Sequence, residues 1–97
     1  MATQTENTSI IKSEKVTSDQ RSYTYKLIRH REKENASFPI ELYEIYVEMQ
    51  EGENRIFYRT GGIFTSIDKA MRFLTKLKEN LATPRNTPYI LEDSLSF

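Results

Sequence analysis

The sequence predicts a small α+β domain in which a three-stranded antiparallel sheet (β-β-β) is followed by one amphipathic helix packed on one face, with a short C-terminal segment. Three observations predict this fold. Apolar and polar residues alternate with a period of two in three stretches, which begin near residues 22, 40 and 55. Apolar residues then recur at three- and four-residue spacing after Ser66. A length of 97 residues favours one domain with one core.

The first element of the chain, residues 1–21, is predicted to be a flexible polar tail, and residues 22–97 are predicted to form the single domain. The tail segment has only Ile10, Ile11 and Val16 as substantial apolar side chains. A segment with so little apolar area gains little free energy from packing. Removing residues 1–20 is therefore expected to leave thermal stability almost unchanged.

Three strands follow in order. The first is predicted over residues 22–30, the second and clearest over 40–49, and the third over 55–60, because apolar side chains alternate with polar ones in each. The charged stretch 29–37 is predicted to be a loop. Turn residues between the second and third strands, at 50–54, predict a hairpin with a loop of four or five residues.

The helix is predicted to begin at the sequence Thr65-Ser66-Ile67-Asp68, which has the pattern of a capping box with an acidic residue in the first turn. Its apolar stripe continues to Leu81, and Pro84 ends it. The apolar segment 89–91 is predicted to pack back as a strand or as a final helical turn.

Charge and composition narrow the classes of function. Fourteen basic and fourteen acidic residues cancel, so no net field draws the chain toward nucleic acid or anionic membrane. The absence of cysteine excludes disulfides, thiolate zinc sites and a cysteine nucleophile. No apolar run approaches the about 18 residues of a membrane-spanning helix. We expect a soluble, cytoplasmic protein.

No pattern of residues predicts a catalytic, metal or cofactor site, so we expect a protein that is not an enzyme and needs no cofactor. His30 is the only histidine, and it is expected to be an exposed loop residue. Glu44 and Glu48 share a strand face about 13 Å apart, too far for a glycosidase carboxylate pair. Cross-strand pairing of these glutamates with Lys26, Arg55 or Arg59 is expected instead.

A weak candidate anion site is formed by residues on both sides of the helix start in the sequence. Free backbone amides near paired glycines and a basic helix ridge can both attract phosphate, although the lysine of a phosphate-binding loop is missing. A glycine bend and a solvated helix face are the preferred interpretations. The residues concerned are Thr60, Gly61, Gly62, Lys69, Arg72 and Lys76.

The sheet face away from the helix is the main candidate interaction surface. Apolar side chains occur at both parities of the strands, whereas one helix covers only one face of the sheet. An apolar centre with a charged rim is typical of interfaces. We expect either a second copy of the protein, as a homodimer, or the C-terminal segment to cover this face. The candidate residues are Glu44, Tyr46, Glu48, Arg55, Phe57 and Arg59.

Short sequence matches also indicate a family. Tyr25-Lys26-Leu27, Tyr43-Glu44-Ile45-Tyr46-Val47, the helix with Leu74 and Leu77, and the stretches Thr83-Pro84 and Leu91-Glu92-Asp93 resemble a domain-of-unknown-function family. Its members are roughly hundred-residue proteins from spore-forming Gram-positive bacteria. The resemblance covers about residues 23–95 and implies a compact bacterial cytosolic protein, without any activity or site.

The entry into the helix, residues 63–70, is also similar to the three-stranded DNA-binding domains of integrases and plant transcription factors. In those domains the sheet enters the major groove, where Glu44 and Glu48 would repel phosphate. We therefore expect a small binding or regulatory module that acts through protein–protein interaction. The alternative is a nucleic-acid-binding domain that uses the three-stranded sheet and the basic helix ridge.

Overall fold

The computed structural model describes residues 6–32 and 40–95, which form four strands and two helices. A single antiparallel sheet has the strand order β1-β2-β3-β4. The elements are β1 (Glu6–Ser18), β2 (Arg21–Glu32), β3 (Ile40–Glu51), β4 (Asn54–Arg59), α1 (Ile67–Glu79) and α2 (Thr87–Leu95). The α+β class, with an antiparallel sheet followed by a helix, is confirmed. The expectation of three strands and one helix is wrong.

The additional strand, β1, lies within the segment that the sequence predicted to be a flexible tail. It pairs with β2 from Glu6 to Ser18. The hairpin turns at Asp19 and Gln20, whose φ angles of 51° and 66° fit the two-residue turn that matches the twist of paired strands. Ile11 and Val16 pack against the core. Because pairing with β2 satisfies its backbone, β1 needs few apolar side chains of its own.

Because β1 is part of the sheet, the expectation that removing residues 1–20 leaves thermal stability almost unchanged is replaced by the opposite one. Removing residues 1–20 should now lower the midpoint of thermal unfolding by more than about 5 °C, since the deletion exposes one edge of β2 and part of the core. Circular dichroism melting of the truncated and full-length chains measures the shift. A smaller shift would contradict a stable β1.

Two of the predicted loops are also corrected. The β3–β4 hairpin has a two-residue turn, Gly52-Glu53, in place of a loop of four or five residues, and Gly52 has the positive φ of 61° that favours glycine. Strand β2 continues to Glu32, so residues 29–32 are strand and not loop. The rest of the loop predicted between β2 and β3, residues 33–37, lies outside the described residues.

The core lies between α1 and the inner face of the sheet, as we call the face that α1 covers. Inward side chains include Tyr25, Leu27, Ile45 and Val47, all fully buried, and Leu77 of α1 meets them. The Tyr25 hydroxyl donates a hydrogen bond of 2.9 Å to the carbonyl of Ala82, just after α1. Burial raises the pKa of Tyr25 to about 12. This layer holds α1 across β2 and β3.

The start of α1 follows the predicted signal, but its end does not: the helix ends at Glu79, before Leu81 and Pro84, and Leu81 has a positive φ of 49°. Ser66 is the N-cap, and its hydroxyl accepts a hydrogen bond from the amide of Lys69. Asn80 caps the C-terminus. The segment after Pro84 forms the helix α2, and its Leu91 packs in the core on the α1 side.

Candidate functional site

The outer face of the sheet, opposite α1, collects all six residues of the predicted interaction surface. Register places Tyr46 opposite Arg59 and Glu48 opposite Phe57, and alternation puts Glu44 and Arg55 on the same face. From β1 and β2, Ile10 and Ile28 face each other on this side, and Ile28 lies opposite Glu44. The outer face therefore spans all four strands.

Glu44 is the centre of a hydrogen-bonded network on this face. Its side chain is only 2% exposed although it is charged. Arg59 binds it in a bidentate manner, with Nε 2.7 Å from Oε2 and a terminal nitrogen 2.8 Å from Oε1. His30 Nε2 lies 2.7 Å from Oε1, and the Gly61 amide donates to Oε2 at 3.2 Å.

These contacts determine the charge of the carboxylate. Hydrogen bonding from Arg59 is the main cause that lowers the pKa of Glu44 to about 2, and it outweighs the opposing effect of burial. An ionised carboxylate only accepts hydrogen bonds, so His30 carries a proton on Nε2. Its Nδ1 lies 3.4 Å from the Thr8 hydroxyl on β1.

His30 is thus not the exposed loop residue expected from the sequence. It lies within β2, with a side chain 18% exposed, and the pairing register brings it next to Glu44. The glutamates were expected to pair with Lys26, Arg55 or Arg59, and the structure pairs Glu44 with Arg59 and Glu48 with Arg55, the latter at 3.6 Å. Lys26 pairs with neither glutamate.

An aromatic cluster occupies the β3–β4 side of the outer face. The rings of Tyr46 and Phe57 stack with centroids 5.7 Å apart, and Lys26 Nζ lies 5.2 Å from the Tyr46 centroid. The Tyr46 hydroxyl donates to Glu48 Oε1 at 2.7 Å. Burial, assisted by this bond, raises the pKa of Tyr46 to about 12. The cluster is apolar at its centre and charged at its rim.

Neither described helix packs over the outer face of the sheet. Phe57 is 59% exposed and Ile10 is 58% exposed. The alternative expectation, that the C-terminal segment folds onto this face, does not hold for the described residues, since Leu91 packs on the opposite side of the sheet and Tyr89 is 72% exposed. Phe97 and the side chain of Leu95 lie outside the described part.

The predicted anion site is divided between two places. Thr60 and Gly61 make hydrogen bonds to β3. The Thr60 hydroxyl accepts one from the Ile45 amide at 3.0 Å, and the Gly61 amide donates one to the Glu44 carboxylate. Gly61 has a φ of 75°, and a Cβ on Gly62 would lie 3.1 Å from that of Leu42. Lys69, Arg72 and Lys76 instead line a groove beside α1. The doubled glycine is explained by backbone geometry.

Thr8, Ile10, Ile28 and His30 belong to the outer face and were not among the predicted site residues. Alternation within β2 would have placed Ile28 and His30 on the same side as Lys26. Thr8 and Ile10 could not be placed without β1.

The described residues provide no cluster of three or more potential metal ligands among histidines and carboxylates. In the same part of the chain, neither helix is long and apolar enough to cross a membrane.

Comparison with protein families identifies the family of the chain. The model described as "Family of unknown function (DUF6514)" matches residues 5–96, and this range includes β1. The predicted resemblance to a family of unknown function is thereby confirmed, while the expected bacterial group stays a prediction. No curated protein and no solved structure matches the chain.

Proposed function

The chain belongs to the family of unknown function DUF6514, and since that description assigns no activity, we propose a function from the surface itself: a non-enzymatic module that acts through protein–protein interaction at the outer face. The observation that carries the proposal is that two large apolar side chains of this face, Phe57 on β4 and Ile10 on β1, are each more than half exposed. Exposed apolar patches ringed by polar groups mark interaction sites.

The partner that this face fits best is a second copy of the chain. In a two-fold symmetric dimer, the same patch meets itself, so it must complement its own charge. The outer face carries both signs close together: Glu48 lies beside Arg55, and Lys26 lies over Tyr46. A copy rotated by 180° can therefore place acidic groups against basic ones.

The area of the outer face limits the size of the interface that it can form. Four strands about 4.8 Å apart and about eight residues long cover about 500 Å² in projection. The accessible surface of protruding side chains exceeds this projection. The projected area alone is about 60% of the roughly 800 Å² per partner that a standard specific interface buries. Back-to-back packing of two sheets would bury both Phe57 on β4 and Ile10 on β1, the two edge strands of the outer face.

Sedimentation velocity tests this function. We expect the wild type to sediment as a dimer at about 100 μM, and Phe57→Glu or Ile10→Glu to shift the dissociation constant upward by at least about tenfold, because each buries a charge. Tyr89→Glu is the matched control, since Tyr89 is a more exposed aromatic on α2. The dissociation constant of the Tyr89→Glu dimer should equal that of the wild type.

Two results would contradict the proposal. One is a wild type that stays monomeric at this concentration, and the other is equal weakening by Tyr89→Glu and Phe57→Glu. Circular dichroism of each variant establishes that it is folded. The nucleic-acid alternative predicts instead a steep salt dependence of binding to duplex DNA, which depends on the cations of the same face.

A further inference from the structure

A groove of about 360 Å³ lies on the opposite side of the molecule from the outer face. Its floor contains Phe64 and Phe73, whose ring centroids are 5.6 Å apart, together with Ile63, which is 45% exposed. Part of its wall comes from Ser94 of α2. The volume is within the range of small ligand-binding clefts, and the floor is apolar.

Three cations line this groove along α1: Lys69, Arg72 and Lys76. Among the described residues, none of the three forms an ion pair with a carboxylate. Lys76 donates a hydrogen bond to the neutral hydroxyl of Ser94, at 3.4 Å. Within residues 6–32 and 40–95, no carboxylate therefore pairs directly with the three cations beside the apolar floor.

We propose that this groove binds a short acidic peptide segment with an aromatic anchor. The aromatic side chain would contact the floor, and acidic residues on both sides of it would pair with the cations. A single carboxylate cannot reach all three, because Lys69 and Lys76 are separated by about 10 Å along the helix axis. Three residues of extended peptide span the same length. Charge complementarity thus favours several acidic groups on one extended chain.

The site is independent of the proposed dimer. The outer face and the groove lie on opposite sides of the sheet, so back-to-back dimerisation leaves both grooves open. Each copy would then present one peptide-binding groove to solvent. This arrangement would link two peptide-bearing partners through the dimer, with a gain in avidity.

Fluorescence anisotropy tests the site with a labelled probe peptide that carries one phenylalanine between two pairs of acidic residues. We expect saturable binding with a dissociation constant below about 1 mM. Arg72→Glu, and Ile63→Ser in the exposed part of the floor, should each raise that constant at least about tenfold. Arg85→Glu is the matched control, since Arg85 is exposed and outside this groove. Its affinity should stay within about twofold of the wild type.

Control peptides separate the two contributions. Replacing the phenylalanine with alanine should remove most of the binding, and replacing the acidic residues with lysine should abolish it. Equal binding of the lysine peptide, no binding at about 1 mM, or an affinity unchanged by Arg72→Glu would each overturn the proposal. Tighter, Arg72-dependent binding of a short DNA strand would also overturn it. Monomeric variants at Phe57 should bind the peptide normally, so failure of the dimer and failure of the groove are distinguishable.

Discussion

Replacing Glu44 with glutamine is expected to lower the free energy of unfolding by about 3 kcal/mol, near the lower end of the cost of breaking a buried ion pair. Four hydrogen-bond contacts converge on this carboxylate, from Arg59, His30 and Gly61. An amide nitrogen accepts none of them, so at least one donor loses its acceptor. Arg59 is half exposed and can turn to water, which limits the cost.

Urea unfolding measures the effect against a matched variant, Glu51→Gln. Glu51 also pairs with an arginine, Arg21, but its side chain is 53% exposed. Its replacement should change the free energy of unfolding by less than about 0.5 kcal/mol. Equal effects of the two substitutions would show that the Glu44 network does not stabilise the sheet.

The same network predicts a dependence of stability on pH. The pKa of Glu44 is lowered from 4.5 to about 2 in the folded protein. The unfolded state therefore binds a proton first as the pH falls, and the stabilisation is complete above about 4.5 and lost as the pH approaches 2. The protonation of Glu44 therefore removes about 3 kcal/mol from the free energy of unfolding as the pH falls through this range. Glu44→Gln should lack that part of the pH dependence.

Replacing Leu77 with alanine is expected to cost about 2 to 5 kcal/mol, because Leu77 is fully buried between α1 and the sheet and its truncation leaves a cavity. Leu81 provides the control. The helical spacing places it on the same stripe, yet it lies beyond the end of α1 and is 36% exposed.

Urea unfolding of Leu77→Ala and Leu81→Ala compares the two positions. Leu81→Ala should cost less than about 1 kcal/mol. A neutral Leu77→Ala would contradict the packing of α1 on β2 and β3, and equal costs would contradict the position at which the helix ends.

Local signals in the sequence predicted the elements that depend on local physics. Alternation predicted β2, β3 and β4, and the residues around Ser66 predicted the start of α1, because side-chain periodicity and capping are properties of a few neighbouring residues. Strand parity predicted that Glu44 and Glu48 would pair with Lys26, Arg55 or Arg59, and Glu44 does pair with Arg59. The six predicted outer-face residues were placed together for the same reason.

What the sequence did not predict depends on distant pairing. β1 is polar because it is an edge strand with one solvent-exposed side, and its order comes from hydrogen bonds to β2 and from the tight turn at Asp19. The contact of His30 with Glu44 depends on the register between β2 and β3, and no local pattern specifies that register. The α1 groove requires the docking of α2.

Isotope-filtered nuclear Overhauser spectroscopy on a mixture of labelled and unlabelled chains tests the central claim most directly, since it detects only contacts between copies. Back-to-back packing of the outer faces predicts intermolecular contacts from the rings of Phe57 and Tyr46 and from the methyl groups of Ile10. Intermolecular contacts confined to the helical side, at residues such as Tyr89 or Met71, would contradict it, as would a dimer with no contact from Phe57.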